Sequence, residues 1–180
     1  MTGDAAAKRS FLVLHDYGMG GLWWWISARS EREIRETFAW TEVVADPEVV
    51  ARYRDDGLPE VDVDDAEMPA GLDSLRAERD RQRGRAGFGA LADREVVHLR
   101  RHDDEENTDW LVEVGPDGRR TRQVEVPDVG TALRSGPDDW PLNPPFADLF
   151  APETADWEIS AAEFEKHWAQ ARPMTPEISE

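Results

Sequence analysis

The sequence predicts an α+β fold, a mainly antiparallel sheet with three to four helices packed on it. Three observations predict it. Residues 11–28 and 95–126 carry short apolar or alternating runs joined by glycine-containing turns. Helix starts are marked by capping residues, as in Ser30-Glu31-Arg32-Glu33 and Ser160-Ala161-Ala162-Glu163. Hydrophobic residues make up 39% of the 180 and eight are tryptophan, enough for the core of a single domain spanning 1–180.

Phe11, Leu12, Val13 and Leu14 form a continuous apolar run, the mark of a strand buried on both faces and therefore interior to its sheet. Gly18, Gly20 and Gly21 allow a sharp bend after His15-Asp16-Tyr17. The chain then resumes a strand at Leu22–Ile26, with Trp23 and Trp25 on one face and Trp24 on the other. Ser30 opens a helix over 31–39 whose inward stripe is Ile34 and Phe38. Residues 40–44 are extended again. Asp46 caps a second helix with Pro47 in its first turn, turning Val49, Val50 and Tyr53 inward. Residues 57–69 read as a solvated acidic loop. Residues 70–86 hold five arginines among acidic residues, an Arg-rich helix tied by pairs such as Arg76 with Asp80, or a projecting arm.

A three-stranded antiparallel meander is predicted at 94–126. Its second turn, Gly115-Pro116-Asp117-Gly118-Arg119, places Gly115 opposite Arg119 with Gly118 left-handed. In that register Val114 faces Arg120, Val112 faces Arg122 and Trp110 faces Val124. Residues 127–152 are dense in proline and aspartate yet carry Trp140, Leu142, Phe146, Leu149 and Phe150, which predicts an irregular strap lying on the sheet. The last helix starts at Ser160, with Ile159 and Phe164 as a hydrophobic staple and Trp168 on the face of Phe164. Residues 1–9 and 174–180 are expected to fray.

Composition narrows the chemistry. There is no cysteine, hence no disulfide, thiolate nucleophile or cysteine-held metal. The formal net charge of −18 disfavours direct nucleic-acid binding, which needs clustered Lys and Arg. No apolar run is long enough to cross a bilayer, and the first residues lack a secretory signal, so a cytoplasmic location and no membrane partner are expected. The four histidines have no zinc-like spacing, and Asp62-Val63-Asp64-Asp65 lacks the glycine and glutamate of a calcium loop. The sequence therefore predicts no metal and no cofactor. His15-Asp16-Tyr17-Gly18 resembles, locally, the oxyanion loop of α/β-hydrolases, but no Gly-x-Ser-x-Gly elbow accompanies it. His15 and Asp16 thus stand as the catalytic or ligand-binding alternative.

The acidic and aromatic residues Asp62, Asp64, Asp65 and Glu67, and Asp138, Asp139 and Trp140, are the candidate protein-binding residues. Arg122-Gln-Val-Glu-Val-Pro-Asp, Asp139-Trp-Pro-Leu-Asn-Pro-Pro and Glu158-Ile-Ser-Ala-Ala-Glu-Phe-Glu-Lys-His-Trp resemble small acidic proteins of unknown function from actinobacteria. The C-terminal half is also similar to immunity-type domains found beside bacterial polymorphic toxins. The resemblance implies an immunity-type or accessory binding protein and carries no active-site residue; the leading expectation is a non-enzymatic acidic protein-binding module, an immunity-type inhibitor of a basic toxin domain being its sharpest form. A small enzyme or ligand binder at the His15 bend, and a self-assembling accessory protein, are the alternatives.

Overall fold

The computed structural model describes residues 7–174. The α+β class is as the sequence predicts, but where one domain over 1–180 was expected the chain divides into two compact units. One ends at Arg85 and the other begins at Ala86. Each has its own sheet and its own apolar core.

In the first unit β1 (Arg9–Asp16) and β2 (Gly21–Ala28) form an antiparallel hairpin. Strand β3 (Glu42–Val44) flanks β1, and β4 (Glu60–Asp62) runs parallel beside β2. β1 is interior, and Leu12 and Val13, pointing to opposite faces, are both out of water. One face of this sheet presents Phe11, Val13, Trp24 and Ile26 to Ile34, Phe38, Leu72 and Leu75 of the helical layer. On the other, Trp23 stacks on Tyr53 with centroids 4.3 Å apart.

The helix α1 (Glu31–Thr37) starts as its cap predicts, with the Ser30 hydroxyl accepting from the Glu33 amide at 3.1 Å. The Glu33 carboxylate reaches one residue further back than a capping box requires and accepts from the Arg29 amide at 2.6 Å. Asp46 caps α2 (Pro47–Tyr53) through the amides of Glu48 and Val49. Val49, Val50 and Tyr53 are half-buried rather than core residues.

Two expectations change in this unit. Part of the acidic loop is strand β4, because the Trp25 amide donates to the Pro59 carbonyl and the Val63 amide to that of Ser27, which draws Val63 into the core. The Arg-rich stretch is not an arm. It is α3 (Leu72–Arg83), and its arginines donate to backbone carbonyls of the same unit: Arg76 to Val63 and Asp65, Arg79 to Arg35 and Phe38, Arg83 to Glu36. The Arg76–Asp80 pair gives way to Arg81–Glu78 and Arg83–Asp80, since Arg76 turns toward β4. The side chain of Arg79 is wholly buried.

The second unit holds the meander of β5 (Val97–Asp103), β6 (Thr108–Val114) and β7 (Arg120–Pro127), extended by β8 (Leu133–Ser135) and by β9 (Arg172–Pro173), parallel to β8. The turn has the expected form: Gly115 faces Arg119, Gly118 has φ +78, and Val114 faces Arg120. Beyond it a bulge between Glu113 and Val114 shifts the register by one. Glu113 then faces Arg122, Val112 faces Gln123, Leu111 faces Val124 and Trp110 faces Glu125.

The bulge follows from both faces of this sheet being covered. Leu111 and Val124 lie under Phe164 and Ala171 at helix α5 (Ala161–Gln170), while Val97, Leu99, Val112 and Val114 lie under Leu91, Ala147 and Leu149. The unbulged register would set Leu111 against Gln123 and remove the Leu111–Val124 pair from beneath Phe164. The strap lies on the sheet as predicted, and the Ser160 cap and the staple of Ile159 with Phe164 form. A short helix, α4 (Pro152–Ala155), brings the helices among the described residues to five.

The fraying expected over 1–9 does not extend to Lys8, which is ion-paired, or to Arg9, which pairs with Ala28. Met174 likewise donates to the Arg134 carbonyl at 2.8 Å. The rest of that expectation falls outside the described residues. No helix among them is long and apolar enough to cross a membrane.

Candidate functional site at the strap of the second unit

The strap is anchored by its own turn. After β8, Gly136 leads into one turn of 3-10 helix, Pro137–Asp139, where proline presets φ. The Asp139 carboxylate accepts from the Gly136 amide at 2.8 Å, and the Trp140 amide donates to the Pro137 carbonyl at 3.3 Å. This lays Trp140 back over the sheet, its indole N–H donating to the Ser135 hydroxyl at 3.2 Å.

Beneath it the bulge puts Arg120, Gln123 and Glu125 on one face of β7. The Arg120 guanidinium lies 4.4 Å from the Trp140 ring centroid. Its Nε donates to Asn143 Oδ1 at 3.3 Å and its Nη1 to Gln123 Oε1 at 2.6 Å. Asn143 returns a bond to the Arg120 carbonyl at 2.8 Å, and Gln123 Nε2 donates to Glu125 Oε1 at 3.1 Å. Each amide is thus oriented by a second bond. Burial pushes the Arg120 pKa down and the Glu125 pKa up, the charge of Glu106 adding to the latter.

Outside this network the strap is open. Leu142 is 79% exposed. Asp138 and Asp139 are exposed, and neither carboxylate has a cationic side chain within 4.0 Å among the described residues. Of the sequence candidates, Asp138, Asp139 and Trp140 are therefore brought together at one surface.

The other acidic group differs. Asp62 is ion-paired with Lys8, and Asp64 with both Lys8 (2.6 Å) and Arg29 (2.7 Å). Hydrogen bonds from Arg29 and Lys8 hold the Asp64 pKa down at about 2, and Lys8 lowers that of Asp62. Asp65 accepts from the Asp62 amide at 3.0 Å, and Glu67 is exposed. At the first bend, His15 Nδ1 lies 2.9 Å from the Trp40 carbonyl and Asp16 accepts from the Gly18 amide at 2.7 Å, so both brace local backbone. Trp40 holds φ +54 there.

A third polar cluster lies under α5, where Glu113 takes bonds from Arg122, Thr121 and His98. The Arg122 guanidinium, first among these partners, holds the Glu113 pKa at about 2. Among the described residues no group of three or more His, Asp or Glu is placed to hold a metal ion.

Sequence reasoning missed Gln123, Asn143 and Arg120 as parts of this surface. The hairpin register did set Arg120 opposite Val114, but Asn143 comes from 23 residues away and leaves no local signal.

No family model matches this chain, and neither a curated protein nor a solved structure matches it.

Proposed function

We propose that this chain is a non-enzymatic, acidic protein-binding module whose partner is a basic protein, met at the strap of the second unit. One observation carries the reading. Of the two acidic groups expected to bind a partner, Asp62 and Asp64 are neutralised by Lys8 and Arg29, whereas Asp138 and Asp139 are exposed, with no cationic side chain within 4.0 Å among the described residues, beside Trp140 and the exposed Leu142.

An apolar centre with a charged rim is what a protein interface uses. The fixed indole supplies contact area at little entropic cost, because Ser135 and Arg120 already hold it. With a net charge of −18, association with a basic partner is steered by long-range attraction. The resemblance of the C-terminal half to immunity-type domains gives the partner class: a basic toxin domain, inhibited by steric occlusion.

The test is capture on the immobilised protein from lysate of cells that encode it, eluted by a salt gradient. The reading predicts that a basic protein is retained at low salt and released as the Debye length shortens. Retention of none, or retention indifferent to salt, contradicts it.

A further inference from the structure

Among the described residues of the second unit, four arginines are ion-paired and four are not. Arg94, Arg100, Arg119 and Arg122 each lie within 4.0 Å of a carboxylate. Arg120, like Arg101, Arg134 and Arg172, has none so close among the described residues, and differs from those three in being held at two nitrogens by side-chain amides. Its Nε and Nη1 are bonded to neutral amide oxygens, one face lies on Trp140, and Nη2 has no hydrogen-bond partner among the described residues. The side chain is half-buried and partly stripped of water.

A guanidinium held this way is preorganised. Asn143, Gln123 and Trp140 are each fixed by a further bond, to the Arg120 carbonyl, to Glu125 and to Ser135, so the plane of the fork is set before any ligand arrives. Three N–H groups are left, one on Nη1 and two on Nη2, and a planar acceptor pair can take one from each nitrogen. We propose that Arg120, framed by Trp140, Gln123 and Asn143, is a binding site for a carboxylate, taken edge-on at the guanidinium.

A monoanion fits better than a phosphate. Among the described residues one guanidinium supplies the only cation bonded into the network, and the nearby Glu125 adds a negative charge that a dianion would feel twice over. The carboxylate can be that of a small molecule or a side chain presented by a protein. The site goes beyond the protein-partner reading and does not need it.

The test is titration with benzoate, followed by NMR at the Trp140 indole N–H and the Arg120 Nε–H, with benzamide as the uncharged isostere. The expected result is a saturable shift of both resonances with benzoate, at least tenfold weaker with benzamide and lost in Arg120→Gln. Arg120→Lys, which keeps the charge but not the fork, should bind at least fivefold more weakly. No saturable shift, or an equal response to benzamide, overturns the site. So does an unchanged response in a folded Arg120→Gln, and the benzamide comparison on the unaltered protein decides if that variant does not fold.

A second arm uses a peptide blocked at both ends with one glutamate between lysines. Binding more than tenfold tighter than benzoate, lost on Glu→Gln in the peptide, identifies a protein-borne carboxylate. Binding no tighter than benzoate identifies a small-molecule one.

Discussion

Arg79 has its whole side chain out of water on a helix that reads as polar most of the way round, and its donors explain how. It meets the carbonyls of Arg35 and Phe38 at the C-terminal end of α1, where unpaired carbonyls and the helix dipole both favour a cation. Arg79→Lys keeps the charge but loses the fork that reaches two carbonyls and Gln82, and is expected to cost about 2–3 kcal/mol in urea unfolding. Gly118 is fixed twice: φ is +78, and a Cβ would drive into the Ala147 carbonyl. Gly118→Ala should cost the second unit more than about 2 kcal/mol, seen as faster amide exchange across β6 and β7. Two carboxylates there titrate in opposite senses. Glu113 is held at about 2, so its stabilisation is full above its ordinary 4.5 and is lost as pH falls from 4.5 toward 2. Glu125 is raised, so its ionised form costs stability at neutral pH and the cost vanishes below 4.5. Glu125→Gln is therefore expected to melt higher than the unaltered protein at pH 7, the difference closing as the pH is lowered to 4.5.

At the scale of elements, what the sequence makes legible is what local chemistry decides. The caps at Ser30, Asp46 and Ser160, the interior position of β1 and the Gly115–Gly118 turn all rest on residues within a few positions of one another. Elements set by distant partners were not legible. Strand β4 is three residues long in an acidic stretch and exists because β2 offers Ser27 and Trp25 to it. The bulge at Glu113 depends on Phe164, about fifty residues later, covering Leu111 and Val124. The candidate surface divides the same way: Asp138, Asp139 and Trp140 stand together in sequence, whereas Arg120 and Asn143 meet only across the fold. Since Thr121 is the extra residue in β7, deleting it should remove the bulge and leave the pairs Val114–Arg120, Glu113–Arg122 and Val112–Gln123 in place. Arg120 and Gln123 then still share one face, so the Trp140 indole N–H resonance is expected to keep its position, and its displacement would show that the bulge itself shapes the strap.

For the whole molecule, an excess of 18 carboxylates does not mean a uniformly negative surface. Lys8, Arg29, Arg35, Arg81, Arg83, Arg94, Arg100, Arg119 and Arg122 are all within 4.0 Å of acidic side chains of the chain itself. What is displayed is the set that these do not reach, and Asp138 and Asp139 belong to it. The two acidic groups can be separated experimentally, because neutralising either removes the same formal charge. The measurement is retention of the basic partner by the unaltered protein, by Asp62→Asn/Asp64→Asn and by Asp138→Asn/Asp139→Asn, each confirmed folded. Retention kept by the first pair of substitutions and reduced at least tenfold by the second is the predicted result. Loss in the first pair with retention in the second, or equal retention by all three, would contradict the strap as the binding surface.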